Sequence, residues 1–200
     1  MIDQRLLPGN DFATRALPTV SIPAGAGWAR IHGSTKRPLW FGPAPGEPPQ
    51  SRFDDPLGTY RVCYIGQTLE AAFSEVFLRD LRVRLLPRAA FETRSLSHVT
   101  TLRAVSLIQF HGAGLARLGT TAAIEHGPYQ LSRAWARACW DHAGQHDGLS
   151  YRPRHDDDQL AVALFERAAD AVAAVGAPFL VSRLPELPEL LRRYDIGVVD

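Results

Sequence analysis

The chain has 200 residues, 46% of them hydrophobic, with 22 lysines and arginines against 21 aspartates and glutamates. That length and apolar content suit one compact domain with a sizeable core and exclude an intrinsically disordered chain. The near-even charge argues against bulk electrostatic binding to nucleic acid or membrane and leaves room only for a local patch. Cys63 and Cys139 form no CxxC pair and read as buried thiols rather than a disulfide or metal ligands. No apolar run reaches transmembrane length, and the N-terminus lacks the basic, apolar and small-residue order of a secretory signal. A soluble cytoplasmic protein is therefore expected.

Residues 1–25 are rich in Pro, Gly and Thr and carry no clear period, and 1–27 reads as an N-terminal extension. Leu6, Leu7, Phe12 and Leu17 suggest an extension that packs on the body without strong structure of its own. Trp28 to His32 reads as a short strand with Arg30 in its middle, either solvated or aimed at an anionic ligand. Four prolines between Gly42 and Gln50 exclude helix and central strand there. Ser51 to Gly58 carries turn chemistry and sets Arg52, Phe53 and Asp54 side by side on a loop.

Tyr60 to Ile65 reads as a strand, Gly66 as a tight turn and Thr68 as the N-cap of a helix running from Leu69 to about Leu81. Leu69, Ala72, Phe73, Val76 and Phe77 form its apolar stripe. Glu75 sits on the flank of that stripe. Periodicity alone makes it a solvated glutamate; the position permits it to face a cleft. Arg79, Arg82, Arg84 and Arg88 read as a solvated helix end or a partner-facing surface.

Leu96 to Leu107 reads as one or two strands, and Gly112, Gly114 and Gly119 mark a loop and helix-end region. Tyr129 to His142 is a second amphipathic helix with Leu131, Ala134, Trp135, Ala138 and Cys139 on one face. His142 and His146 stand four apart, but Gly144 between them and the want of a nearby acidic ligand argue against a metal site. Asp147-Gly148 is a turn leading to Tyr151-Arg-Pro-Arg-His155. Gln159 to Phe165 is a buried apolar run, strand or helix. Phe179 to Val181, a short helix over Leu187 to Tyr194, and Ile196 to Val199 close the chain.

Taken in order, Arg30, Arg52-Phe-Asp54, Tyr64, Ala72, Glu75, Gly119, Tyr129, Ser132, Ala134-Trp135, Asp147-Gly148, Tyr151-Arg-x-Arg154-His155 and Leu164 to Arg167 resemble the RES-domain family. These are the toxin halves of bacterial type II toxin–antitoxin pairs with Xre-type antitoxins. The resemblance spans residues 28–197, which makes 28–200 the RES domain. It implies an α+β fold similar to ADP-ribosyltransferases: a single compact domain with a split mixed sheet around an NAD cleft. It also implies degradation of NAD+ by phosphorolysis or hydrolysis. Some members resemble transferases that place ADP-ribose on a protein, so a protein ADP-ribosyltransferase is an alternative. NAD+ would be substrate, inorganic phosphate a possible co-substrate, and no cofactor or metal is implied. An antitoxin that blocks the cleft, a homodimer, no membrane contact, and DNA contact only through the antitoxin complete the implied partners.

The family is named for an arginine, a glutamate and a serine. Arg30 matches the first and Glu75 the second. The serine is expected in a Tyr-x-Ser-Arg context after Asp-Gly, where Pro153 stands, with Ser150 three residues earlier. That departure motivates a third reading, a catalytically silent antitoxin-binding module.

The implied chemistry breaks the bond between nicotinamide and ribose C1′. The leaving group is already cationic, so the transition state resembles an oxocarbenium ion. Glu75 would stabilise that charge and hold the 2′-hydroxyl. Tyr64, or failing it Tyr60, would hold the nicotinamide ring. Arg30 would pair with the pyrophosphate, Arg52 with the pyrophosphate or an incoming phosphate, and Arg154 would add a third cation. Phe53, Asp54 and Tyr151 complete the expected binding set. There is no GxGxxG, so a Rossmann-type site is not indicated.

Overall fold

The computed structural model describes residues 4–80 and 82–200. In chain order the elements are β1 (Thr19–Ile22), β2 (Gly27–Gly33), β3 (Val62–Gly66), α1 (Leu69–Phe77), β4 (Leu85–Pro87), α2 (Arg88–Glu92), β5 (Arg94–Thr101) and β6 (Val105–Phe110). There follow α3 (Ala113–Leu118), α4 (Ala123–His126), α5 (Tyr129–Asp141), β7 (Gly148–Tyr151), β8 (Ala161–Phe165), β9 (Val172–Leu180), α6 (Leu187–Arg193) and β10 (Gly197–Val199). Eight strands form one mixed sheet in the order β1-β6-β7-β8-β3-β2-β5-β9, and β10 pairs with β4 in a small second sheet. Within the large sheet only β6 and β7 run parallel, a pairing that needs the long helical crossover through α3, α4 and α5. No helix among the described residues is long and apolar enough to cross a membrane.

The sheet is nearly divided between β2 and β3. β2 pairs with β5 along its whole length, from Gly27↔Thr100 to Gly33↔Arg94, and β3 pairs with β8 from Val62↔Phe165 to Gly66↔Ala161. Between β2 and β3 themselves the register holds a single pair, Ala29↔Gly66. The strands part beyond it. The two halves carry separate cores, one of aromatics such as Phe12, Phe53, Phe110, Trp135 and Phe165 under α5, the other of Phe73, Phe91, Leu96 and Leu190 under α1, α2 and α6. A third cluster covers the opposite face, where Cys63, Ile65, Val162 and Leu164 alternate with the residues of the first. β8 is buried at every position, as an apolar run of five in a covered sheet must be.

Several local expectations change. The N-terminal extension supplies an edge strand: β1 pairs with β6 from Thr19↔Ile108 to Ile22↔Val105. Leu6 O accepts the Trp135 indole N–H at 2.7 Å, and Phe12 is buried against that ring. Helix α1 stops at Phe77, short of Leu81, a residue outside those described. Leu78 is already non-helical, and Asp80 accepts the Arg82 backbone N–H, a local bond that competes with helix continuation. Gly66 is required for a different reason from a tight turn. A β-carbon there would meet Ala72 N at 2.4 Å and Thr68 O at 2.7 Å, so glycine lets the first turn of α1 press against β3. Thr68 does cap that turn, accepting Ala71 N–H at 3.0 Å. Leu96 to Leu107 divides between two strands, and Gln159 to Phe165 ends in a strand, not a helix.

Candidate active site

The parting of β2 and β3 opens onto a cavity of about 520 Å³, within the size range of small-molecule sites. β2 contributes Arg30, β3 contributes Tyr64, α1 contributes Glu75 and Arg79, and the loop before β3 contributes Arg52. Tyr129 at the start of α5 and Arg154 after β7 close the far side. Residues distant in sequence therefore converge because the sheet opens there.

Glu75 is half-buried, and its Oε2 accepts the Tyr151 hydroxyl at 2.9 Å. Burial pushes its carboxyl above the ordinary carboxylate range, opposed by the Tyr151 hydrogen bond and by the charges of Arg52 and Arg79. The surface-glutamate reading from periodicity does not hold. Among the described residues two carboxylates line the cavity; Glu47 accepts the Ala44 backbone N–H at 3.1 Å, and Glu75 caps no backbone.

Arg30 is only 7% exposed. It donates to Tyr64 O and Trp40 O, each at 3.1 Å, and also to the Cys63 thiol. Its guanidinium thus bridges the gap where β2 and β3 have lost their ladder. Its Nε is buried without a partner at the edge of the cavity. Tyr64 lines the cavity with its ring, but its hydroxyl is fully engaged, donating to Asp54 Oδ1 and accepting Phe53 N–H, both at 2.9 Å.

Arg52 stacks over the Tyr129 ring at 4.8 Å and makes two long bonds of 3.3 Å, to Gly127 O and to Ser132 Oγ. Burial lowers its pKa from the usual arginine value. Arg133 grips the loop from behind, donating to Pro49 O and Ser51 O, so α5 fixes the Pro-rich wall of the cavity. Arg154 is exposed at the rim beside His155.

Four expected contact residues lie elsewhere. Phe53 is fully buried, packed edge-on to Tyr151 at 4.9 Å, because an aromatic between two sheet-facing tyrosines finds more apolar contact inward. Asp54 is buried as well, and its carboxylate accepts Gln50 N–H, Ser51 N–H and the Tyr64 hydroxyl. It caps the loop that presents Arg52. Tyr60 stacks on Trp140 at 5.0 Å and donates to Phe53 O, inside the core under α5. Tyr151 is 2% exposed and reaches Glu75 from behind the cavity wall, so it positions the carboxylate and does not face a ligand.

The RES-domain family model matches residues 28–187. The chain belongs to the RES-domain family. Its fold is similar to that in the crystal structure of the M. tuberculosis MbcT–MbcA toxin–antitoxin complex, with a TM-score of 0.60 and 12% identity over 88% of this chain and 91% of that one. No curated protein matches the chain by sequence.

Tyr129 and Ser132 stand in the sequence pattern without a site role, and the structure brings both to Arg52. Ser132 is fully buried; its hydroxyl donates to Ile124 O and accepts from Arg52. The serine that meets Arg52 thus comes from α5. Ser150 is turned away, its Oγ 3.2 Å from His111 Nε2, and Pro153 is buried. The spacing of Tyr129 and Ser132, one helical turn apart on the face opposite Arg52, was the available signal.

Proposed function

We propose that this protein is the toxin of a toxin–antitoxin pair and cleaves the nicotinamide–ribose bond of NAD+. The observation that carries the reading is the Glu75 carboxylate, held by Tyr151 in a cavity that Arg52, Arg79, Arg154, Lys36 and Arg94 also line. A dinucleotide brings phosphates for the cations and one ribose centre at which positive charge develops.

As the C1′–N bond breaks, its electron pair leaves with nicotinamide and neutralises the pyridinium ring. Positive charge then spreads over C1′ and the ring oxygen. The ionised Glu75, 2.9 Å from the Tyr151 hydroxyl, opposes that charge and accepts the 2′-hydroxyl. Water or a phosphate oxygen then bonds to C1′, and the attacking water or hydrogen phosphate gives up its proton to solvent. Tyr64 offers its ring as a wall for the nicotinamide; its hydroxyl, bound to Asp54 and Phe53, takes no part in proton transfer. Ser132 acts through Arg52, which it orients toward the cavity. A buried serine hydroxyl at Arg52 supports an active site over a silent module. The fold likeness to a toxin bound in a toxin–antitoxin complex supports an antitoxin partner for this cleft.

The test is to incubate the purified protein with NAD+ in the presence and absence of inorganic phosphate and to identify the products. Free nicotinamide with ADP-ribose 1″-phosphate indicates phosphorolysis, with ADP-ribose hydrolysis, and with label on protein transfer. Intact NAD+ under all conditions, with the protein folded, would overturn the proposal.

A further inference from the structure

The cavity holds more cationic charge than NAD+ can use. Arg52 and Arg79 act on the Glu75 carboxylate and are placed to meet a pyrophosphate beside the reacting ribose. Lys36 and Arg94 line the same cavity from the turn after β2 and from the start of β5. They converge on Gly33 at the end of β2. A β-carbon on Gly33 would lie 3.5 Å from the Lys36 Cγ and 3.9 Å from a terminal nitrogen of Arg94. Neither forms an ion pair with a carboxylate among the described residues. Arg94 makes one long bond of 3.4 Å to the neighbouring Thr93 O. Next to them stands the half-buried indole of Trp40, with the Lys36 ammonium 4.8 Å from its ring centroid. Its backbone is pinned by Arg30.

We propose that Lys36, Arg94 and Trp40 form a subsite for a 2′-phosphorylated adenosine, so that NADP+ is the preferred substrate of this cleft. The inference rests on the dinucleotide reading above. With its scissile ribose at Glu75, a dinucleotide extends its adenosine half away from Glu75. NAD+ brings to that end only neutral hydroxyls and the base. A 2′-phosphate brings a dianion, which an arginine fork and a lysine ammonium match. An arginine near the adenosine ribose is the general device for accommodating that phosphate. The Trp40 ring holds the Lys36 ammonium beside that site by a cation–π contact.

Two arms test the subsite separately from turnover. In the first, kcat/KM is measured for NADP+ and NAD+ with the parent protein and with a Lys36→Ala, Arg94→Ala double variant. NADP+ is favoured by about tenfold in the parent, and the double variant abolishes the preference while leaving NAD+ within about twofold. Equal kcat/KM values in the parent, or equal losses on both nucleotides in the variant, overturn the proposal. In the second arm, calorimetry compares adenosine 2′,5′-bisphosphate with 5′-AMP. The bisphosphate binds about tenfold more tightly to the parent, and Arg94→Gln alone reduces that margin. Indistinguishable affinities overturn the subsite even if both dinucleotides are cleaved. If neither dinucleotide is cleaved but the bisphosphate preference holds, the cleavage reading fails and the subsite stands.

Discussion

Arg30 and Arg52 border the same cavity from opposite walls, and they are held in different ways. Arg30 lies in the middle of a strand, 7% exposed, with one terminal nitrogen donating to Tyr64 O on β3 and the other to Trp40 O in the loop after β2. Arg52 sits on a loop, stacked on Tyr129, with two long bonds from one terminal nitrogen. The first closes the fold where the sheet ladder fails; the second keeps donors for a ligand. Charge at a cavity wall is therefore a poor guide to binding until its existing partners are counted.

Alanine at each position separates the two roles. Arg30→Ala leaves the Tyr64 and Trp40 carbonyls without their donor and costs about 2–4 kcal/mol of stability, read as a lower denaturant midpoint. Arg52→Ala shifts stability by less than about 1 kcal/mol but lowers kcat/KM for the dinucleotide at least about tenfold. Equal stability losses in the two variants would erase the distinction.

A smaller effect is expected at Tyr151. Its hydroxyl donates to the ionised form of Glu75 and so holds that carboxyl down against burial. Tyr151→Phe removes the donor, raises the Glu75 pKa further, and moves the acid limb of the kcat profile to higher pH, with kcat down about tenfold. An unmoved limb would show that Tyr151 is only a packing residue. The smallest effect belongs to Tyr60, remote from the cavity. Tyr60→Phe loses the bond to Phe53 O, about 1 kcal/mol of stability, and leaves turnover unchanged.

The strand–cap–helix unit from Val62 to Phe77 was legible in sequence, because β-branched residues, an N-cap threonine and a helical stripe each act locally. The RES pattern likewise selected Arg30, Tyr64 and Glu75 as residues that meet at one cavity. Burial of individual side chains was not legible. Phe53 and Asp54 looked like loop binding groups, yet one fills the core and the other caps the loop, and only the tertiary position of Tyr64 decides that. The sequence ranked Tyr64 ahead of Tyr60 on the family pattern, with no local signal for which tyrosine is in the core. They lie four apart across the start of β3, one under Trp140 and the other beside the gap in the sheet. The length of α1 failed at Asp80, whose local bonding competes with a pattern that otherwise continues.

The central claim is that an ionised, positioned Glu75 drives cleavage. The carboxyl is raised by burial, so holding it ionised in the folded state lowers stability. That cost is absent below the unfolded-state pKa of about 4.3 and fully present above the folded-state value. Glu75→Gln therefore gives a protein at least as stable as the parent near neutral pH, with the advantage vanishing in acid. The decisive measurement is nicotinamide release from the dinucleotide by parent and Glu75→Gln, beside their thermal melts. The account predicts release lowered by about a hundredfold or more in a variant that melts no lower than the parent. Undiminished release by folded Glu75→Gln would contradict it.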